Sequence, residues 1–301
     1  MSLITKHMKG EAPLARLARD YFASKVATLG LIVLAVIVLL ALLGPFLAPQ
    51  NPYDLARLDV MDSRLEPGKV SLDGKLTYWM GTDQQGRDML SAILYGVRIS
   101  IMVGAISTAI ALTLGLTLGL IAGYVGGRTE TLIMRIADIQ LSFPPILIAL
   151  ILLALTGQGV GKIIVALVAV QWAYYARTAR SAALVERRKE YIEAATLLGL
   201  SHRRIVFRHL LPNCLPPLIV IAALQIASAI SLEATLSFLG LGLPVTEPSL
   251  GLLIANGFQY LLSGKYWISL FPGLALLLTI VAINLVADQL RDVLNPRLQT
   301  Q

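Results

Sequence analysis

The sequence predicts an all-α, polytopic membrane protein with six transmembrane helices. Of its 301 residues, 56% are hydrophobic and only 14% are charged, whereas charged residues make up about a quarter of a typical soluble domain. The mean hydropathy of +0.73 agrees with this assignment. A helix that crosses a bilayer needs about 20 mainly apolar residues, and six apolar segments recur along the chain, separated by polar or basic stretches.

The first span is predicted over residues 26–50, which carry no charge. A short basic segment, residues 1–25, precedes it and is expected to lie on the membrane surface as an interfacial helix. A polar loop, residues 51–98, follows it. Near the end of this loop, Thr82 or Asp83 is expected to cap a short helix that is solvated at the interface rather than in contact with substrate.

The next two spans, residues 99–124 and 136–156, carry distinct packing signals. The second span contains Gly104, Gly115, Gly119 and Gly123, of which the last three are spaced four residues apart. A helix with small residues at this spacing can pack closely against a neighbouring helix. The third span contains Pro144 and Pro145, which remove two backbone donors. A kink is therefore expected there.

Three further spans complete a core that runs from residue 99 to residue 287. The fourth, residues 163–176, is short in its apolar part, and the others are predicted over 212–232 and 268–287. Residues 233–265, between the last two spans, could re-enter the membrane or lie along its outer interface. Residues 288–301 form a short tail.

The distribution of basic residues predicts the orientation of these spans. Six spans place both termini on one side, and that side carries 17 of the 25 lysines and arginines, while the acidic residues divide equally. Basic residues concentrate in cytoplasmic loops, so both termini and the loop 177–211 are predicted to be cytoplasmic. The net charge of +7 thus reflects topology and not a nucleic-acid-binding surface.

The loop 177–211 is predicted to contain a helical hairpin. A first helix is expected to start near Lys189 and to end at Gly199, because glycine adopts the left-handed conformation without steric cost. Ser201 is expected to cap a second helix with its hydroxyl, and Pro212 to end it. The small side chains of Ala194 and Ala195 would let another surface approach closely, as in a docking element.

The spacing within this hairpin resembles the EAA loop of the membrane subunits of ABC importers. Glu193-Ala194-Ala195 is followed after three residues by Gly199, and after nine more by His209-x-Leu-Pro. Over most of the chain the resemblance narrows to the C-type permease subunit of dipeptide and oligopeptide importers. Three further blocks carry it, at residues 81–104, 233–242 and 272–298.

This resemblance implies a type I ABC importer permease in a bacterial cytoplasmic membrane. The expected partners are a second permease of the same family, two cytoplasmic ATP-binding subunits and an extracytoplasmic solute-binding protein. ATP and magnesium would bind the ATPase chains, and this chain would need no cofactor and would not be an enzyme. The residues expected to couple it to the ATPases are Glu193, Ala194, Ala195, Gly199, His209 and Pro212.

The sequence contains no recognisable catalytic constellation. Its three histidines form no zinc-binding motif, and the segment GQGVGK at residues 157–162 lacks the spacing of a phosphate-binding loop and is expected to be a tight turn. Cys214 is the single cysteine, so no internal disulfide can form. Asp138 and Glu233 are predicted to lie at span ends, where water is available.

Four neutral polar side chains inside the predicted spans could line a transport pathway or form hydrogen bonds between helices; they are Gln171, Gln225, Ser228 and Asn284. Close relatives of peptide permeases carry nickel complexes or glutathione, so the substrate stays open. Two other classes are an ion-coupled secondary transporter, which usually needs carboxylates deep in the membrane, and a membrane enzyme, which needs a catalytic set.

Overall fold

The computed structural model describes residues 13–54 and 58–294, and this part of the chain is mainly helical. The predicted segment before Pro13 and the tail beyond Leu294 lie outside the described residues. The helices are α1 (Pro13–Phe22), α2 (Lys25–Leu47), α3 (Met89–Val125), α4 (Gly127–Leu141), α5 (Pro145–Thr156), α6 (Val160–Arg187), α7 (Glu190–Leu197), α8 (His202–Ile205), α9 (Leu211–Phe238), α10 (Leu250–Phe258) and α11 (Trp267–Leu294). Two short strands, β1 (Lys69–Val70) and β2 (Thr77–Tyr78), pair antiparallel.

Four of the described helical segments are long and apolar enough to cross a membrane: α2, α3, the continuous segment from α8 through α9, and α11. The bent pair of α4 and α5 makes a fifth if it counts as one span. Six spans were predicted. The remaining candidate, α6, has 28 residues, but its polar side chains and basic C-terminal part lower its hydropathy.

The most extensive helix contact among the described residues is that of α3 with α6, and glycines make the close approach possible. A methyl group added at Gly115 would lie 2.4 Å from the carbonyl oxygen of Trp172, and one at Gly119 would lie 2.4 Å from that of Ala176. A methyl group added at Gly104 would lie 2.8 Å from the Cγ1 atom of Ile230 in α9. The predicted small-residue face of the second span is therefore confirmed, and it packs α3 onto both neighbours.

The helix α3 begins ten residues before the predicted start of the second span. Its cap is Asp88, whose carboxylate accepts hydrogen bonds from the backbone N–H and the hydroxyl of Ser91, at 2.8 and 2.6 Å. The prediction that Thr82 or Asp83 caps a separate short helix is wrong. These two side chains instead hold the preceding loop together.

That loop, residues 48–88 with 55–57 outside the described residues, is called here the α2–α3 loop. Its closing turn is buried and not solvated as predicted, since Thr82, Asp83 and Arg87 are fully buried. The hydroxyl of Thr82 donates to the carbonyl oxygen of Asp62 at 2.6 Å. Tyr78 donates to the Asp62 carboxylate at 2.8 Å, and burial together with this bond raises the pKa of Tyr78.

The third predicted span is broken into α4 and α5, which meet at 90°. The predicted proline kink is confirmed, because the break falls at Pro144 and α5 begins at Pro145. Side chains of α6 hold α4 in place: Arg177 pairs with Asp138 and Arg180 with Glu130. The basic residues Arg177, Arg180 and Arg187, predicted as loop, thus lie in the last three turns of α6, where Arg177 and Arg180 contact α4.

The segment predicted as an excursion, residues 233–265, begins inside α9 and then folds back as α10. A methyl group added at Gly251 would lie 2.2 Å from the carbonyl oxygen of Ala234, and one at Gly257 would lie 2.5 Å from the backbone nitrogen of Ser269. The helix α10 is therefore packed tightly between α9 and α11.

Candidate functional site

The segment predicted as a hairpin, and called the hairpin below, contains the short helices α7 and α8, which are joined by a tight turn at Gly199. Lys189 occupies the N-cap position of α7, as expected. Gly199 has a φ of +72°, in the left-handed region. The backbone N–H of Gly199 donates to the carbonyl oxygen of Thr196 at 3.0 Å, and the N–H of Leu200 donates to that of Ala195 at 3.2 Å. These two hydrogen bonds make up the Schellman motif. The predicted helix end at Gly199 is confirmed.

The hairpin has a small apolar core of its own. Ile192, Ala195 and Ile205 are buried together, and Tyr124 at the end of α3 packs against them with Leu200. Ala195 is only 5% exposed, so its small side chain permits close packing within the hairpin. The expectation that both alanines present a small surface to a partner is wrong for Ala195.

The outward face of α7 carries Glu193 and Ala194, both exposed, and a pair of leucines that sequence reasoning missed. Leu197 and Leu198 are 88% and 79% exposed. The helical period could have found Leu197, which lies opposite the face of Ile192 and Ala195. It could not have found Leu198, which is three residues after Ala195 and stands at the C-cap of α7. An exposed apolar pair at the tip of a hairpin is typical of an interaction surface.

The second half of the hairpin differs from the prediction at both ends. Ser201 stands at the N-cap of α8, but its side chain makes no capping hydrogen bond. Pro212 does not end the helix either: α8 continues through a π-helical turn, Val206–Leu210, directly into α9. In this turn the backbone N–H of Leu211 donates to the carbonyl oxygen of Val206, five residues back. The hydrogen-bond spacing of the helix thus changes immediately before Pro212, which has no backbone N–H.

His209 lies inside this π-helical turn and is partly buried. Its carbonyl oxygen accepts a hydrogen bond of 2.6 Å from the side-chain amide of Asn213. The hairpin is also joined to α6, because Lys189 and Tyr191 both donate to the carboxylate of Glu186 at 2.6 Å. Burial and this bond raise the pKa of Tyr191 to about 12, so the tyrosine remains a donor at neutral pH.

The four neutral polar residues predicted inside the spans all line one cleft. The cleft has a volume of about 480 Å³ and lies between α5, α6, α9 and α11. Its lining includes Gln171, Gln225, Ser228 and Asn284, together with Pro145 at the start of α5. Residues that are far apart in sequence thus meet on one surface.

These four residues do not all have the same surroundings. Gln171 is 3% exposed and bridges helices, since its amide donates to the carbonyl oxygen of Gln225 at 3.0 Å and its oxygen accepts from Thr108 at 3.4 Å. Within the described ranges, the side chains of Gln225, Ser228 and Asn284 have no hydrogen-bond partner. They are therefore free to bind a molecule in the cleft.

The acidic residues predicted at span ends also differ from one another. Asp138 is about half exposed and pairs with Arg177, as expected for a residue in contact with water. Glu233 is fully buried, and its two carboxylate oxygens accept hydrogen bonds from Ser100 at 3.0 Å and Ser237 at 2.8 Å. The prediction that Glu233 is solvated is wrong because α9 continues past it and α10 covers it.

The described residues contain no cluster of three or more histidine, cysteine, aspartate or glutamate side chains placed to hold a metal ion. Cys214 is a buried free thiol and packs against Leu120, Ala183 and Leu210.

Comparison with protein families gives two matches, which together cover most of the chain. Residues 115–300 match the family described as binding-protein-dependent transport system inner membrane component. Residues 13–67 match the family described as N-terminal TM domain of oligopeptide transport permease C.

Several relatives match over nearly the whole chain. The dipeptide transport system permease protein of Escherichia coli is 40% identical over 304 residues, which covers 99% of this chain and 100% of the relative. The di/tripeptide transport system permease protein of Pseudomonas aeruginosa is 38% identical and covers 96% and 93%. A putative peptide transport system permease protein of Brucella suis is 38% identical and covers 97% and 95%.

A solved structure shares the fold of the core. The inward-facing MetNI methionine ABC transporter aligns with a TM-score of 0.57 at 21% sequence identity, over 69% of this chain and 98% of that chain. The family matches, the full-length relatives and the shared fold agree with one another. This chain belongs to the family of inner membrane components of binding-protein-dependent transport systems.

Proposed function

We propose that this chain is the membrane-spanning subunit of an ATP-driven, binding-protein-dependent importer of peptides, of the dipeptide and oligopeptide class. The observation that carries the proposal is its full-length identity of 38–40% to permeases named for dipeptide, di/tripeptide and peptide transport. From the sequence, nickel complexes and glutathione were the alternative substrates. The names of these three relatives favour peptides.

The proposed complex contains a second permease of the same family, two cytoplasmic ATP-binding subunits and an extracytoplasmic binding protein. ATP and magnesium bind the ATPase chains. Closure of the ATPase pair moves the hairpin, and the attached helices switch the pathway between inward-facing and outward-facing states. The direct continuation of α8 into α9 supports this role, because a movement of the hairpin passes into a spanning helix without an intervening loop.

The coupling surface is proposed to be the exposed face of α7. Glu193 and Ala194 lie on that face, and Leu197 and Leu198 extend it at the tip of the hairpin. Ala195 and Gly199 support it from within, one by packing and the other by the turn. His209 and Pro212 lie at the π-helical turn that joins the hairpin to α9, so their proposed role is to set the direction of α8.

The polar cleft is proposed to line the translocation pathway, with the second permease completing it. Its free hydrogen-bonding groups, on Gln225, Ser228 and Asn284, suit the peptide groups of many substrates, because amides and hydroxyls both donate and accept. Gln171 keeps a structural role as the bridge between α6 and α9.

A tryptophan in place of Ser228 is expected to abolish peptide uptake while leaving the complex assembled, since it fills a cleft of about 480 Å³. A matched control is Thr113→Trp, at an exposed position of α3 outside the cleft, which should transport normally. Uptake of a labelled dipeptide by proteoliposomes measures the effect. Normal uptake by both variants would show that Ser228 does not line the pathway.

The six-span topology is proposed with α6 as the remaining span and both termini in the cytoplasm. The support for the orientation is the excess of basic residues on one side, 17 against 8. The hairpin and the cytoplasmic end of α3 then face the ATPases, and the α2–α3 loop faces the binding protein.

Single-cysteine labelling tests this orientation. In a Cys214→Ala background, a cysteine at Ser201 should be protected from an impermeant thiol reagent in intact spheroplasts and should react after lysis. A cysteine at exposed Asp73 in the α2–α3 loop should react before lysis. The opposite pattern would reverse the topology.

The function itself is tested by purifying the chain with the proteins encoded beside it and reconstituting the complex. We expect ATPase subunits to co-purify in stoichiometric amounts, and uptake of a labelled dipeptide to require both ATP and the binding protein. Uptake driven by a proton or sodium gradient without ATP would instead support a secondary transporter. ATP-driven uptake of a nickel complex or glutathione, but not of peptides, would retain the architecture and change the substrate.

A further inference from the structure

A groove of about 1110 Å³ lies where the C-terminal end of α3 meets the hairpin, away from the polar cleft. Its floor is apolar and includes Leu116, Leu120 and Ile121 of α3, and Phe207 and Leu211 near the start of α9. Ile121 is 40% exposed and Phe207 is 67% exposed. Much of this surface is therefore open within the part of the chain that the structure describes.

In the proposed topology, the groove follows the cytoplasmic ends of two spanning helices. From Leu116 to Val125 the floor follows α3 for nine residues, about 14 Å along the helix axis. Both α3 and the continuous segment from α8 through α9 are among the helices long and apolar enough to span a membrane. In that topology the Leu116 end of the groove points into the bilayer, where an acyl chain is the natural occupant, while its other end meets the hairpin.

The mouth of the groove is basic and aromatic. Arg187 and Arg203 line it, and the Arg187 guanidinium lies 5.7 Å from the centre of the Tyr124 ring. Neither arginine forms an ion pair within the described ranges. His202 is held by Tyr124, with 2.7 Å between Nδ1 and the hydroxyl oxygen. Glu193 is the acidic residue of the lining, so the mouth keeps an excess of positive charge.

We propose that this groove binds a phospholipid with an anionic headgroup, with one acyl chain along the α3 floor and the phosphate between Arg187 and Arg203. Two features of the chain point to this ligand together: an apolar channel at membrane depth and unpaired basic side chains at the helix ends, where anionic headgroups are recognised. The inference goes beyond the transport function and does not require it. Bound there, the lipid would brace the hairpin against α3.

The test uses the assembled complex in nanodiscs that contain phosphatidylcholine and a minor share of spin-labelled phosphatidylglycerol. The wild-type complex should immobilise phosphatidylglycerol in preference to labelled phosphatidylcholine. Each arginine is expected to contribute about fivefold to this preference, so Arg187→Gln combined with Arg203→Gln should remove most of it. Ile121→Trp, which fills the apolar floor, should reduce immobilisation without changing the charge.

The matched control is Arg204→Gln, because Arg204 is exposed beside Arg203 but does not line the groove. It should retain the wild-type preference. Equal immobilisation of the two lipids by the wild-type complex would overturn the proposal, as would equal losses in Arg203→Gln and Arg204→Gln. If Arg203→Gln keeps the lipid preference and loses the ATPase subunits, the mouth is a protein contact and the lipid proposal is wrong. Single variants and Ile121→Trp keep the test valid if the double variant does not assemble.

Discussion

Replacing Arg87 with alanine is expected to lower the free energy of unfolding by about 3–5 kcal/mol, because it leaves a buried carboxylate without its charged partner. The side chains of Arg87 and Asp83 are both 0% exposed, and their Nε and Oδ2 atoms are 2.7 Å apart. The guanidinium also donates to the carbonyl oxygen of Val245 at 3.3 Å. The pair therefore joins the α2–α3 loop to the turn that leads into α10.

The loss of thermal stability of the purified complex measures this effect. Arg98→Ala is the matched control: Arg98 is exposed on α3, and such a surface change should stay within about 0.5 kcal/mol. Removing both charges, as in Asp83→Asn with Arg87→Met, should recover much of the loss, since neither new side chain leaves a buried charge without its partner. A melting temperature of Arg87→Ala equal to that of Arg98→Ala would show that the buried pair contributes little.

Replacing Glu233 with leucine is the second large effect that we expect. The fully buried carboxylate accepts from a serine of α3 and a serine of its own helix, so it ties α3 to α9. Leucine would leave the hydroxyls of Ser100 and Ser237 without this acceptor, and each buried polar group left unpaired costs about 1–3 kcal/mol. The complex should become less stable to heat and detergent.

Glu233→Gln separates the contribution of the hydrogen bonds to stability from that of side-chain packing. Its amide oxygen can still accept from one serine, and its shape is nearly unchanged, so its stability should fall between those of Glu233→Leu and the wild type. If leucine is as stable as glutamine at this position, the hydrogen bonds to Ser100 and Ser237 do not stabilise the junction. Such a result would leave Glu233 as a packing residue.

Features that depend on neighbouring residues were readable from the sequence. The tight turn at Gly199 follows from one left-handed residue after a short helix, and the kink at Pro144 follows from two missing donors. The glycines of α3 likewise predicted a close helix contact, because small residues four apart form a continuous face. Composition alone identified the membrane class.

Features that depend on distant partners were not readable. In sequence, Arg177 and Arg180 look like loop residues, because their ion-pair partners in α4, Asp138 and Glu130, are 39 and 50 residues away. Glu233 resembles a solvated span end until Ser100, which is 133 residues away, is brought to it. The error at Pro212 has a different cause, since a π-helical turn carries the helix past a residue that lacks a backbone donor.

The expectation of an outward-facing side chain was also wrong for Ala195, with a consequence for experiment. Ala195 packs inside the hairpin, so a bulky residue there would disrupt the hairpin itself and would not report on a partner. Ala194 is exposed and is the better probe of a docking surface. The exposed pair Leu197 and Leu198 belongs to the same surface.

ATP-driven dipeptide uptake by reconstituted complexes, measured with variants of the hairpin, tests the coupling role most directly. Gly199→Val opposes the left-handed turn, although nothing lies within 4 Å of an added Cβ, whereas Gly199→Asn suits that conformation. We expect Ala194→Trp and Gly199→Val to insert normally and to lose ATPase co-purification and uptake, and Gly199→Asn to retain both. Wild-type uptake and ATPase association in Ala194→Trp and Gly199→Val would contradict the coupling role of the hairpin.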